Sequence, residues 1–242
     1  AINDALGIQA SFFGMGLVSL IGFFLCLFLL PARKEEQPLQ KTRSPVPYRT
    51  FMKNRYLAAL FVFRVSFTTC VGMVWAFLPL LADSKFGMSS SAIGILVMLG
   101  VLIAGLLQTP MGLLADRMNK RLLIAVGGLV VAVSVFSLLF AQGFWGLFVT
   151  NVLFGIGGGV AMPAVMAMTV IIGRQTGAMG SVMGLLTMGH SLGMFVGPVL
   201  AGFLMDTFQL DLAFVVGTVV MIIGTAGGVV FTTGFQREPE KT

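Results

Sequence analysis

The chain has 242 residues, of which 57% are hydrophobic and only 10% charged, with a mean hydropathy of +0.99. Soluble domains carry about 25% charged residues, so this composition excludes a water-soluble globule and points to lipid as the solvent. The formal net charge of +6 belongs to topology rather than to a nucleic-acid partner, because basic loops orient a membrane protein.

The N-terminus lacks an initiator Met, a basic leader and a small-residue cleavage site, so it reads as no signal peptide and as a chain joined partway along. A bilayer-spanning helix needs about 20 mostly apolar residues. Seven stretches meet that length: about Leu6–Leu30, Tyr56–Leu81, Ala92–Leu114, Leu122–Phe140, Gly146–Ile172, Val182–Met205 and Leu212–Phe231. They are apolar all round and lack the alternation of barrel strands, so helices are expected. Cys26 and Cys70 both fall inside these runs, which suggests small buried side chains rather than a disulfide framework or a metal site.

The loops alternate in charge. Segment 31–55 holds Arg33, Lys34, Lys41, Arg43, Arg49, Lys53 and Arg55. Arg117, Lys120 and Arg121, then Arg174, then Arg237 and Lys241 fall in alternate loops and the tail. The intervening loops hold Lys85 alone. Basic loops stay cytoplasmic, which predicts an external N-terminus and a cytoplasmic C-terminus. The proline-bearing, mixed-charge segment 31–55 reads as a linker that separates one span from six. Its cations suit anionic lipid headgroups.

After the second span of the six-span block comes Gly112-Leu113-Leu114-Ala115-Asp116-Arg117-Met118-Asn119-Lys120-Arg121. It resembles the G-x-L-A-D-R-x-G-R-R loop of the major facilitator superfamily of transporters, which joins the second and third helices of each six-helix half. Asn119 departs from the usual Gly, and a left-handed backbone at Asn would keep the turn tight. The resemblance covers the whole chain. It implies an all-α transmembrane fold of the major-facilitator type: 1–30 as the last helix of an N-terminal half, 31–55 as the cytoplasmic inter-half linker, 56–235 as the C-terminal six-helix bundle, and 236–242 as a cytoplasmic tail. The implied partners are a small-molecule substrate, membrane lipid and a further N-terminal half, with neither cofactor nor metal. The implied role of Gly112, Asp116, Arg117, Lys120 and Arg121 is gating, against the alternative of a solvated positive loop.

Candidate substrate or coupling residues are the polar ones inside spans. Arg64 lies eight residues past Tyr56, about 12 Å into its helix. Such a charge faces a cavity or a partner, or snorkels to the headgroups. His190, the single histidine, lies at similar depth. It is either a proton carrier or an interhelical hydrogen bonder. Asn151, Gln108 and Thr187 are further lumen candidates. No Asp or Glu falls inside a predicted span, so proton coupling would need an acid elsewhere.

Two glycine–proline runs, Gly155 to Gly159 with Pro163 and Gly189, Gly193, Gly197, Pro198, Gly202, suggest close helix packing and bending. The second resembles the antiporter motif G-x-x-x-G-P-x-x-G-G of drug exporters in the same superfamily, here in the penultimate span, and weakly suggests efflux. Two rivals stand beside a transporter. A seven-span receptor would share the topology, but the last span has no Lys for a retinal Schiff base. An enzyme would need a triad, dyad or metal site, which a lone intramembrane His does not supply.

Overall fold

The computed structural model describes residues 7–29, 54–208 and 210–234. All seven expected spans are helices: α1 Ile8–Leu29, α2 Arg55–Phe86, α3 Ser90–Arg117, α4 Lys120–Ser137 with a 3-10 turn Leu138–Phe140, α5 Gly143–Thr176, α6 Met179–Thr207 and α7 Leu210–Phe231. The expected tail 236–242 and almost all of the linker 31–55 lie outside the described residues.

Several helices outrun their apolar stretches because polar residues cap them beyond the hydrocarbon. The Asn54 side chain accepts from the Tyr56 and Leu57 amides at the start of α2. The Ser89 hydroxyl accepts from the Ala92 amide at the start of α3. Each satisfies amides that the first helical turn leaves free. At its other end α2 stops at Gly87, whose φ of 59° is left-handed and whose N–H donates to the carbonyls of Ala82 and Asp83.

Asn119 corrects one expectation. Its φ of −68° and ψ of 110° are extended, not left-handed, and its Oδ1 accepts from the Arg121 amide. The residue tightens the loop as an N-cap of α4, a task for which Asn is among the best residues and Gly is weaker.

Helix α1 contacts none of the other helices, and none of its spanning window is buried. The other six form one bundle with an internal symmetry. Helix α2 packs chiefly against α6 and α7; helix α5 packs chiefly against α3 and α4; α4 meets α7. Exchanging α2–α4 with α5–α7 maps these partnerships onto each other. Because each set has three helices, the two run oppositely through the bundle, the pattern of an inverted repeat.

Glycines allow the two strongest partnerships. A Cβ at Gly193 would lie 2.8 Å from the Thr69 nitrogen of α2, and one at Gly197 would lie 3.0 Å from the Met73 nitrogen. Backbone therefore meets backbone between α6 and α2, the geometry that small residues permit. In α5 the run splits among three neighbours. Gly155 and Gly159 face α3 at Gly100 and Leu107, Gly157 faces α4 at Gly127, and Gly158 faces Phe67 of α2. Between the helices the core is filled by side chains such as Phe63, Ile124, Met168, Leu185 and Phe214, all fully buried. Large apolar side chains on the outside, Phe136, Phe195 and Phe203 among them, remain exposed, as lipid contact requires.

Candidate functional site

Four helices, α2, α3, α5 and α6, wall a hollow of about 290 Å³ on one side of the bundle. Helices α4 and α7 contribute nothing to it. The four wall helices are the long ones, with 32, 28, 34 and 29 residues against 18 and 22 for the other two. Each wall helix also carries one interior proline: Pro79, Pro110, Pro163 and Pro198. Proline removes a helical hydrogen bond and weakens the turn before it, so the weakened turns are confined to the helices around the hollow.

Arg64 and His190, read separately from the sequence, meet here. Arg64 Nη2 donates to His190 Nδ1 at 3.4 Å. A guanidinium can only donate, so the facing ring nitrogen is the acceptor and a neutral ring carries its proton on Nε2. Arg64 Nη1 points at the sulfur of Met162 on α5. Its Nε is buried and has no hydrogen-bond partner. Counted from the helix ends at 1.5 Å per residue, Arg64 lies about 14 Å deep, His190 about 16 Å and Met162 about 21 Å. The side chain thus reaches across the hollow to α5 and α6.

The rest of the lining is mostly apolar. Phe67, Val71 and Trp75 come from α2, and Phe154 and Met162 from α5; Gln108 on α3 and Thr68 on α2 add an amide and a hydroxyl. The Thr68 hydroxyl donates to the Arg64 carbonyl. No carboxylate lines the hollow among the described residues. Asn151 is elsewhere: it is 5% exposed, its amide donates to the Leu147 carbonyl of its own helix, and it abuts Gly100 in the contact between α3 and α5. Thr187 also lies off the lining, its hydroxyl turned back to the Met183 carbonyl.

The loop motif gathers at the basic end of the bundle. Arg117, Asn119, Lys120 and Arg121 line a second hollow of about 320 Å³ against Met168 and Ile171 of α5. Asp116 is exposed in the last turn of α3. Arg121 crosses instead to α7, where its Nη2 donates to the Val229 carbonyl at 3.1 Å. Arg55 does the same from α2. Its Nη2 donates to the Thr233 carbonyl at 3.2 Å and to the Tyr56 hydroxyl at 2.8 Å. Two guanidinium groups therefore hold the carbonyl end of α7, where the helix dipole favours cations. Arg55 was legible only as one more linker charge, since pairing across the fold leaves no local pattern. Gly112 has open space where a Cβ would go, and Gly202 makes only an ordinary contact with Phe77 at 3.8 Å. Neither is required for packing within this bundle, unlike Gly155, Gly159, Gly189, Gly193 and Gly197.

The sequence model of the Major Facilitator Superfamily matches residues 60–242. The chain is 24% identical over 210 residues to an uncharacterized MFS-type transporter of Methanocaldococcus jannaschii, covering 85% of this chain and 53% of that protein. It is 28% identical over 228 residues to the MFS-type transporter SLC18B1 of Mus musculus, and 26% over 227 residues to that of Rattus norvegicus; each match covers 88% of this chain and 48% of the relative. The chain thus spans about half the length of the curated relatives it matches.

Proposed function

Because the chain belongs to the major facilitator superfamily, a family of multi-pass membrane transporters, we propose that it supplies one wall of a small-molecule pathway that opens alternately to the two sides of the membrane. The observation that carries this reading is the hollow of α2, α3, α5 and α6, whose four wall helices each contain one proline and whose lining brings together Arg64 and His190. A second bundle, an N-terminal half of the same transporter, supplies the facing wall, and the two rock about the site between them. The end bearing Arg55, Arg117, Lys120, Arg121 and Arg174 is the cytoplasmic one by its charge. Asp116 and the cations beside it latch helix ends there in one state and release them in the other.

Energy comes from an ion or substrate gradient. The glycine–proline run of α6 favours efflux as the direction, with exchange against protons. His190 is the one titratable ring in the hollow. Its protonation would place a donor against the donors of Arg64 and break their contact.

A cysteine in the wall tests the alternating pathway. Ala104 of α3 lines the hollow; Ala104→Cys, in a chain with Cys26 replaced by Ser, is treated with a membrane-impermeant thiol reagent in right-side-out and inside-out vesicles. Labelling from both sides, shifting reciprocally under an imposed gradient, is the expected result. Labelling from one side under every condition would sink the alternating pathway. No labelling from either side would mean that the hollow meets lipid.

A further inference from the structure

The charge on this wall of the hollow points to a ligand class. Resting on the transport reading above, we infer that the hollow binds an organic anion with an apolar body, its acidic group held by Arg64.

Arg64 has five N–H donors and a permanent charge. Its two partners here are a thioether and an imidazole, neither of them anionic, and its Nε is buried without any partner. A half-buried cation without a counter-ion carries part of the cost of desolvation. No carboxylate on the described lining offsets it. A ligand carboxylate or sulfonate would, and it can take two guanidinium N–H bonds at once. The same site repels an amine.

The body of the ligand follows from the remaining wall. Phe67, Trp75, Phe154 and Met162 surround the space beyond the guanidinium, and aromatic and thioether side chains accept varied apolar shapes. About 290 Å³ sits near the lower end of ligand pockets, which run roughly 300–1,000 Å³. The ligand contact is therefore one ring or a short chain with one acidic group. His190 is the positioning residue: its Nδ1 fixes one guanidinium arm, and the ligand's acidic group displaces the weak thioether contact of the other.

Trp75 provides the readout, since it lines the hollow and the other tryptophan, Trp145, is exposed near the start of α5. With Trp145→Phe as background, the protein in lipid nanodiscs is titrated with 4-butylbenzoate, 4-butylbenzamide and 4-butylbenzylamine, and Trp75 fluorescence is followed. The expected result is saturable quenching by the benzoate at a concentration at least tenfold below the amide, with the amine weakest. Arg64→Gln should weaken the benzoate roughly tenfold to a hundredfold, the range of a charged hydrogen bond, and leave the amide unchanged. Arg64→Lys should keep part of the preference. Equal binding of benzoate and amide, tighter binding of the amine, no saturable quenching, or an Arg64→Gln variant that still prefers the benzoate would each overturn the anion site. Anion preference with one-sided labelling at Ala104→Cys would sink the alternating pathway and keep the anion site. Two-sided labelling without anion preference would do the reverse.

Discussion

Two glycines of α6, nine residues apart in one motif, should respond to alanine with opposite signs. At Gly193 a methyl group would collide with the Thr68 hydroxyl and the Val65 carbonyl and stand 2.8 Å from the Thr69 nitrogen. Two of those three atoms are backbone of α2, which cannot swing aside, so α6 must move. Overpacking of this kind costs about 1–3 kcal/mol, against a gain of up to about 1 kcal/mol from better helix propensity. The net expectation for Gly193→Ala is a loss of about 1–2 kcal/mol. At Gly202 the nearest atom is Phe77 at 3.8 Å, so only the propensity gain, up to about 1 kcal/mol, remains. Cys70 is fully buried and its thiol donates to the Gly217 carbonyl, so with the exposed Cys26 replaced by Ser it reports unfolding to a thiol-reactive dye. At about 2–4 °C per kcal/mol for a chain of this size, Gly193→Ala should melt roughly 2–8 °C lower and Gly202→Ala no lower than the parent. Equal midpoints for the parent and Gly193→Ala, or an equal fall in both variants, would refute rigid backbone contact as the reason for the glycine spacing.

Three further substitutions address the polar groups. Asp116→Asn removes the one acid of the basic loop; a surface latch is worth up to about 1 kcal/mol, so the ratio of two-sided labelling at Ala104→Cys should shift by up to about fivefold, and an unchanged ratio would remove the gating role. His190→Gln keeps an acceptor for Arg64 but cannot titrate, so the dependence of transport between about pH 5 and 8 should flatten; a profile identical to the parent's would assign His190 to packing alone. Arg121→Gln loses the hydrogen bond to the Val229 carbonyl. Because the group is only half-buried, about 1 kcal/mol is expected, seen as a lower Cys70 unfolding midpoint, and no fall would mean that Arg55 alone holds α7.

The spans were legible because hydrocarbon thickness imposes one simple requirement, a long apolar run, on every one of them. Their ends were less so. Helices continue into the headgroup region as far as caps such as Asn54 and Ser89 allow, and a hydropathy window does not register a cap. Arg64 and His190 stood out from the sequence as polar residues in apolar runs at similar depth, and the fold brings them to 3.4 Å. Asn151 stood out by the same rule yet lies in a helix contact. Depth can be counted along one helix, but the direction a side chain faces depends on which helix packs beside it. The aromatic lining residues Phe67, Trp75 and Phe154 gave no signal, since in a chain with 22 Phe a ring facing a hollow and a ring facing lipid look alike.

The placement of proline carries the argument from packing to motion. If the prolines were spread without regard to position, α4 and α7 would be expected to carry some of them, yet among the six bundle helices each hollow-lining member has one interior proline and the other two have none. Helices α4 and α7 meet each other and, behind the hollow, pack chiefly on its wall helices, α4 on α5 and α7 on α2. Arg55 and Arg121 then fasten the basic end of α7 to α2 and α4. The back of the bundle is thus the tied part, and on the proposed reading the front, where the helices carry prolines and the guanidinium lacks a counter-ion, is the part that bends around a ligand. Pro163→Ala and Pro198→Ala should each stiffen the front and reduce the shift in two-sided labelling at Ala104→Cys under a gradient, without moving Arg64 from His190 or changing benzoate quenching of Trp75. A variant that lost benzoate binding while labelling still alternated would place these prolines in the shape of the site rather than in its motion.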